Sequence, residues 1–385
     1  MTPEPWREAG FGLYIHWPYC QAKCPYCDFN SHVVAKIDQE QWATAYLAEL
    51  DRTARETEGR ILDTVFFGGG TPSLMDPKLI DQIMDRIRRN WSLANNFEAT
   101  MEANPSSVEA DRFAAYRLAG IDRVSLGIQA LNDPDLKALG RLHSASEARA
   151  ALEIAQSTFN RVSFDLIYAR QNQTPEDWKA ELTQALTYGT DHLSLYQLTI
   201  EDGTAFGDRF ALGKLRGLPD EDHAADMYEI TQALTEATGL PAYEVSNHAK
   251  PGQESRHNLI YWRGGDYIGI GPGAHGRLTL GTDRIATETE LQPLAWLQKV
   301  SQDGSGETLR SEIDAEAQLS EYLMMALRTR EGAQVKRLPK PFLEKYNNKI
   351  KYLVDLDLLE KAEETIKVPP QKRILLNAIL KELLT

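Results

Sequence analysis

The chain has 385 residues, 42% hydrophobic and 25% charged, an ordinary soluble composition with room for two or three domains. Against 56 Asp and Glu stand 42 Lys and Arg; the formal charge of −14 argues against broad binding to nucleic acid or anionic lipid. No apolar run approaches the roughly 18 residues of a membrane span, and residues 1–10 lack the basic and apolar regions of a signal peptide, so a cytoplasmic protein without an integral membrane segment is expected.

Taken in order, short β-type runs alternate with helical ones. Strands are expected at 12–16, 63–67, 98–102, 123–127, 161–167 and 192–198, with helices at 39–57, 78–90, 108–119, 144–158 and 175–188 between them. Alternation at this spacing makes right-handed βαβ units and a parallel sheet. Six such units predict an α/β fold, a partial (β/α)6 TIM-like barrel over residues 1–200, with ligand chemistry gathered at the C-terminal strand ends. A helix at 219–238 follows, then two short strands at 242–246 and 267–271 joined by a polar, Gly-rich stretch; this mixed α+β extension is assigned to 201–310. Residues 303–307, DGSGE, read as a linker, and 311–385 as a small, mostly helical domain.

The three cysteines, Cys20, Cys24 and Cys27, form one C-x3-C-x2-C loop directly after the first expected strand. An odd number in one tight group is not a disulfide framework. Gaps this short let a loop wrap three thiolates around one face of an iron–sulfur cluster, and three ligands for four irons leave one iron open. An open position belongs to a catalytic rather than a structural metal centre. A zinc site completed by His16 or His32 stays open as the alternative.

From these residues the sequence resembles the radical S-adenosylmethionine superfamily. Within it the resemblance is to the branch of oxygen-independent coproporphyrinogen III dehydrogenase (HemN) and the haem chaperone HemW. It runs from about residue 13 to the C-terminus and weakens after about 310. It implies the radical SAM barrel and a [4Fe–4S] cluster whose open iron chelates S-adenosylmethionine, cleaved by one-electron reduction to a 5′-deoxyadenosyl radical. Residues 67–73, FGGGTPS, match the family's glycine motif and assign Gly69, Gly70 and Thr71 to the cofactor. Glu102 in MEANPSS, Gln129 in RVSLGIQAL, Arg141 in LGRLHS and Asp165 in SFDLIY match further contact positions. Arg141 suits a carboxylate, and Glu102 and Asp165 suit an ammonium or ribose hydroxyls. Tyr14, Tyr26 and Thr199 complete the implied set. One departure stands out: where the family reads close to DLIYGLPGQT, this chain has Ala169, Arg170, Gln171 and Asn172 in place of the small, turn-forming residues, leaving the loop beside Asp165 open.

Three features divide the branch. The dehydrogenase pattern carries a fourth Cys two residues after the third; here that position is Phe29, in the CDF of the chaperone branch. The dehydrogenase also has a longer arm before its cysteines, whereas the first Cys here is residue 20. Third, SRHNLIYWRG contains an HNxxYW match, linked to haem in the chaperone branch. Neutral imidazole makes His257 a candidate ligand for haem iron, with Tyr261 and Trp262 as flat apolar surface; His248 and His275 are rival ligands. The C-terminal region resembles the winged-helix-like HemN C-terminal domain, and the negative charge speaks against DNA. The expected function is that of a haem chaperone binding a [4Fe–4S] cluster and S-adenosylmethionine and delivering haem, as cargo, to recipient haemoproteins. The alternative is a radical SAM dehydrogenase that decarboxylates two propionates of coproporphyrinogen III. The resemblance further implies a homodimer and delivery to membrane-associated proteins through peripheral contact; no nucleic-acid partner is expected.

Overall fold

The computed structural model describes residues 5–384. The six expected strands form and stand side by side in chain order: β1 Phe11–Trp17, β2 Ile61–Gly69, β3 Ser92–Ala103, β4 Arg123–Gln129, β5 Arg161–Tyr168 and β6 His192–Gln197, all parallel. β1 is buried on both faces at six of its seven positions, as a parallel sheet sandwiched by helices requires. The returning helices are α1 Gln39–Glu56, α2 Pro77–Asn90, α3 Phe113–Ala119, α4 Ala145–Thr158 and α5 Pro175–Leu186. Their starts are written locally. Asp38 and Asp76 accept backbone N–H bonds ahead of α1 and α2, and Ser144/Glu147 and Thr174/Asp177 form capping boxes on α4 and α5. The helix expected over 108–119 is broken into Ser107–Ala110 and α3. The break holds buried Glu109 inward, where its carboxylate accepts from Asn104 N at 3.0 Å and from the Ser73 hydroxyl.

Beyond β6 the sheet continues at both edges. After α6 Glu221–Ala237, a three-residue strand, β7 Asn247–Ala249, pairs antiparallel with β6. The expected strand at 242–246 does not form. Buried Glu244 accepts from Ser246 N, Asn247 N and the Asn247 amide, which curls that stretch into a turn with a single bridge from Ala242 to His248. On the other edge β8 Asp266–Ile270 lies parallel to β1, followed by antiparallel β9 His275–Leu280, β10 Asp283–Thr289 and β11 Glu307–Glu312. Residues 303–307 are therefore no linker. They are the turn between α8 Pro293–Asp303 and β11, with Gly304 capping the helix at φ +72°. A second apolar core, from Tyr322 to Leu383, belongs to α9 Ala315–Ala326, α10 Lys340–Asp355 and α11 Leu376–Leu384, with a small three-stranded sheet between them in the winged-helix manner. Among the described residues no helix is long and apolar enough to cross a membrane.

One short helix, α7 Arg256–Trp262, enters the open side of the barrel near the N-terminal strand ends. Ser255 caps it, and the Glu98 carboxylate of β3 accepts from Arg256 N at 3.1 Å and pairs with Arg161 of β5. A carboxylate there meets the positive end of the helix. Below it, a Cβ on Gly12 of β1 would come within 3.1 Å of the His257 ring.

Candidate cluster and cofactor site

The cysteine loop leaves β1 at the C-terminal end of the barrel and is pinned there by three contacts. Tyr19–Cys20 pairs with His32–Val33, Cys27 N donates to Cys24 O at 3.1 Å, and His16 Nε2 lies 2.9 Å from Asn30 O. Cys20, Cys24 and Cys27 line one cavity of about 170 Å³ with the edges of β2 to β5. Thr71 Oγ1 donates to Cys20 Sγ at 3.4 Å and Arg141 Nη1 to Cys24 Sγ at 3.3 Å. Burial raises the pKa of Cys20 and Cys27, and the Thr71 hydroxyl offsets part of the rise at Cys20. Among the described residues no three His, Cys, Asp or Glu form a group that could hold a single ion; the three thiols share the lining of one cavity.

The glycine edge of β2 closes one wall. Gly69 sits at φ +109°, where a Cβ would come within 2.6 Å of His16 Cε1, and a Cβ on Gly70 would lie 2.7 Å from Tyr19 O. Only glycine lets this strand end lie against the cysteine loop. Gly70 N then donates to Trp17 O and Thr71 N to Tyr19 O.

Glu102 of β3 and Asp165 of β5 face the same space. Burial, reinforced by the nearby Asp165 charge, pushes Glu102 up to about 8. Burial lifts Asp165 to about 6, against bonds from Ser125 and Ser194. Gln129 ends β4 at φ +73° and lines the cavity too. Arg141 is fixed by Asn104 Oδ1 at 2.7 Å and Gly127 O at 2.9 Å. Tyr26 lines the cavity with its ring against Phe206, and burial raises its pKa. Two expected residues lie elsewhere. Tyr14 lies deeper, its hydroxyl 3.0 Å from His16 Nδ1. Thr199, exposed two residues past β6, lines none of the cavities around the barrel.

Three residues of the site escaped the sequence reading. Asn104 bridges Arg141 and Thr71, and Arg123 and Ser125 carry polar groups into the lumen, where Ser125 donates to Asp165 at 3.1 Å. The signal was the alternation of β4, which points Arg123, Ser125, Gly127 and Gln129 to one face.

The lumen behind, about 210 Å³, adjoins the first cavity across Glu102, Ser125 and Asp165, and α7 forms its floor. There His257 is fully buried. Its Nδ1 lies 2.6 Å from Thr64 Oγ1, its Nε2 2.6 Å from the Tyr261 hydroxyl one turn on, and its ring stacks on Phe66. Burial, with Arg123 nearby, lowers its pKa to about 3. Tyr261 and Trp262 also line a third cavity, a cleft of about 450 Å³ between the β1/β8 edge and α9. The divergent loop after Asp165 keeps its turn: Ala169 and Asn172 adopt φ +58° and +59°, and buried Arg170 pairs with Asp135 and Glu181 at 2.6 Å each.

Comparison with known proteins sorts these cavities. Residues 14–185 match the radical SAM superfamily model. Heme chaperone HemW of Escherichia coli is 41% identical over 326 residues, 83% of either chain. The chain belongs to the HemW branch of the radical S-adenosylmethionine superfamily. HemW of Bacillus subtilis is 31% identical over 376 residues, 95% of this chain and 97% of that one, so the branch likeness reaches the C-terminal domain. In fold the chain is similar to E. coli coproporphyrinogen III oxidase (HemN), with a TM-score of 0.82 at 22% identity over 97% of this chain and 90% of that one. Membership implies a [4Fe–4S] cluster and S-adenosylmethionine. The donor set fits both: three thiols around one space, an arginine and two carboxylates facing it, and a glycine edge beside it.

Proposed function

We propose that this protein is a haem chaperone, carrying haem to proteins that need it and using its cluster and S-adenosylmethionine to regulate or drive that transfer. The observation that carries the reading is Phe29, standing where the dehydrogenase pattern has its fourth cysteine, in a chain similar to proteins named heme chaperone HemW over 83% of one and 97% of another.

In this reading Cys20, Cys24 and Cys27 hold the cluster, which supplies single electrons to the sulfonium when the cofactor is bound. Arg141, already fixed by Asn104 and Gly127, offers its guanidinium to the cofactor carboxylate. The Gly69–Gly70 edge brings backbone within reach of the amine. Glu102, held neutral near pH 7 by burial, ionises when an ammonium enters and takes its bonds, while Asp165 accepts from ribose hydroxyls. Gln129 and Thr71 close the rim, with Tyr26 covering it; Tyr14 and His16 stiffen the wall behind Gly69. Phe29 lines both the cluster cavity and the cleft, so the cleft is the natural seat for a flat hydrophobic cargo. Tyr261 and Trp262 are two of its walls.

Anaerobic reconstitution followed by paired assays tests this. Saturable hemin uptake without protoporphyrinogen formation is expected. Substrate-dependent conversion of coproporphyrinogen III would replace the chaperone reading with the dehydrogenase one.

A further inference from the structure

Strand alternation sends Arg123 and Ser125 of β4, and Ser163 and Asp165 of β5, to the sheet face that looks into the barrel lumen. The register sets Ser125 directly beside Ser163, and Asp165 beside Ser194 of β6. Arg123 is buried, yet among the described residues it forms no ion pair. A buried cation with no opposite charge in contact is unfavourable unless its charge is answered by other means.

A row of hydroxyls supplies the means. Arg123 Nη2 donates to Ser163 Oγ at 3.0 Å, Ser163 Oγ lies 2.8 Å from Ser125 Oγ, and Ser125 donates to Asp165 Oδ1 at 3.1 Å. The donors available fix the direction of this chain. A guanidinium accepts nothing, so the Ser163 proton cannot point back at Arg123 and goes to Ser125, whose single proton then goes to Asp165. Every bond runs from the cation towards the carboxylate, and hydrogen bonds aligned in this way polarise one another. Burial favours the neutral acid at Asp165; the bonds from Ser125 and Ser194 and the nearby Arg123 and Arg141 charges oppose it. Of the two cations, Arg141 is already held by Asn104, Gly127 and Cys24, whereas Arg123 has only the serine chain.

We propose that Arg123 is a positioning residue for S-adenosylmethionine: acting through Ser163 and Ser125, it fixes Asp165 as a carboxylate that accepts from the ribose hydroxyls. The inference rests on the ribose role given to Asp165 above and extends it to three residues that touch no part of the cofactor.

Equilibrium dialysis of the cluster-loaded protein tests it with two ligands, S-adenosylmethionine and an analogue in which hydrogen replaces both ribose hydroxyls. Ser163→Ala deletes only the middle oxygen of the chain. It should weaken S-adenosylmethionine binding by roughly 2- to 10-fold, the worth of one hydrogen bond, and leave the iron content unchanged. Arg123→Met should weaken binding at least as much; should it misfold, Ser163→Ala decides alone. The analogue should bind Ser163→Ala and wild type alike, and in an Asp165→Asn background Ser163→Ala should have no further effect. If wild type holds the analogue as tightly as S-adenosylmethionine, the ribose role of Asp165 falls and this inference with it. If wild type prefers S-adenosylmethionine but Ser163→Ala binds it unchanged, or weakens both ligands equally, the role of Asp165 stands and the chain from Arg123 is overturned.

Discussion

Glu102 is the sharpest place to test the reading of the cofactor cavity, because its stability and its function should respond in opposite directions. Its carboxyl moves from an ordinary 4.5 to about 8 through burial and the Asp165 charge. At 1.36 kcal/mol per unit, a rise of about 3.5 units makes the ionised carboxylate cost about 5 kcal/mol in the protein without cofactor. A raised carboxyl pKa means the folded state holds the proton longer than the unfolded chain does. The cost is therefore absent below about pH 4.5, grows as only the unfolded chain ionises, and levels off above about 8. Glu102→Gln keeps the shape and removes the charge. The cofactor-free variant should melt close to wild type at pH 5 and higher at pH 8, by at least roughly 5 °C. The same substitution in the cluster-loaded protein should weaken S-adenosylmethionine binding, measured by equilibrium dialysis, because the amide cannot neutralise an incoming ammonium. Equal melting temperatures at both pH values would refute the buried-charge argument. A stabilised variant that binds the cofactor as tightly as wild type would refute the role given to the carboxylate.

Arg170→Leu restores the residue type of the usual family loop but takes the cation from buried Glu181, which retains the Leu131 N–H and the Gln173 amide, so it should destabilise by roughly 3–5 kcal/mol in chemical denaturation, and adding Glu181→Gln, which removes the charge and still accepts from Leu131, should recover most of the loss. Additive effects of the two changes would show that the pair is not coupled. Arg141→Ala should weaken S-adenosylmethionine binding by about 10- to 100-fold, the value of 1.5–3 kcal/mol for hydrogen bonds to a charged group, while leaving iron content unchanged; loss of iron together with the cofactor would mean that the Cys24 contact matters more.

Much of the barrel was legible in the sequence because its interactions are local. Capping residues and the periods of strand and helix place β1 to β6 in order, and the cysteine loop and glycine edge follow from which end of each strand they occupy. The errors came where side chains act at a distance. Glu244 turns 242–246 out of a strand by taking up its neighbours' N–H groups, and DGSGE becomes a turn because β11 finds a partner in β10. The loop after Asp165 keeps its shape without glycine or proline through Arg170 and its two carboxylates, one on α5 and one 35 residues upstream. His257 and Tyr261 suggested a ligand and a flat surface, yet their spacing of four was also the sign of an internal bond. Nothing local announced that their helix would be buried, because that is decided by Thr64, Phe66 and Glu98 on other strands.

The plugging of the barrel by α7 changes how losses in that segment should be interpreted. A change at His257 unseats Tyr261, frees Thr64 and disturbs the packing on Phe66, all beneath the wall that carries Glu102. Cargo, nucleotide and iron can then be lost together through the floor by way of one altered side chain. Only a probe that follows each occupant separately will distinguish a severed bond from a collapsed floor.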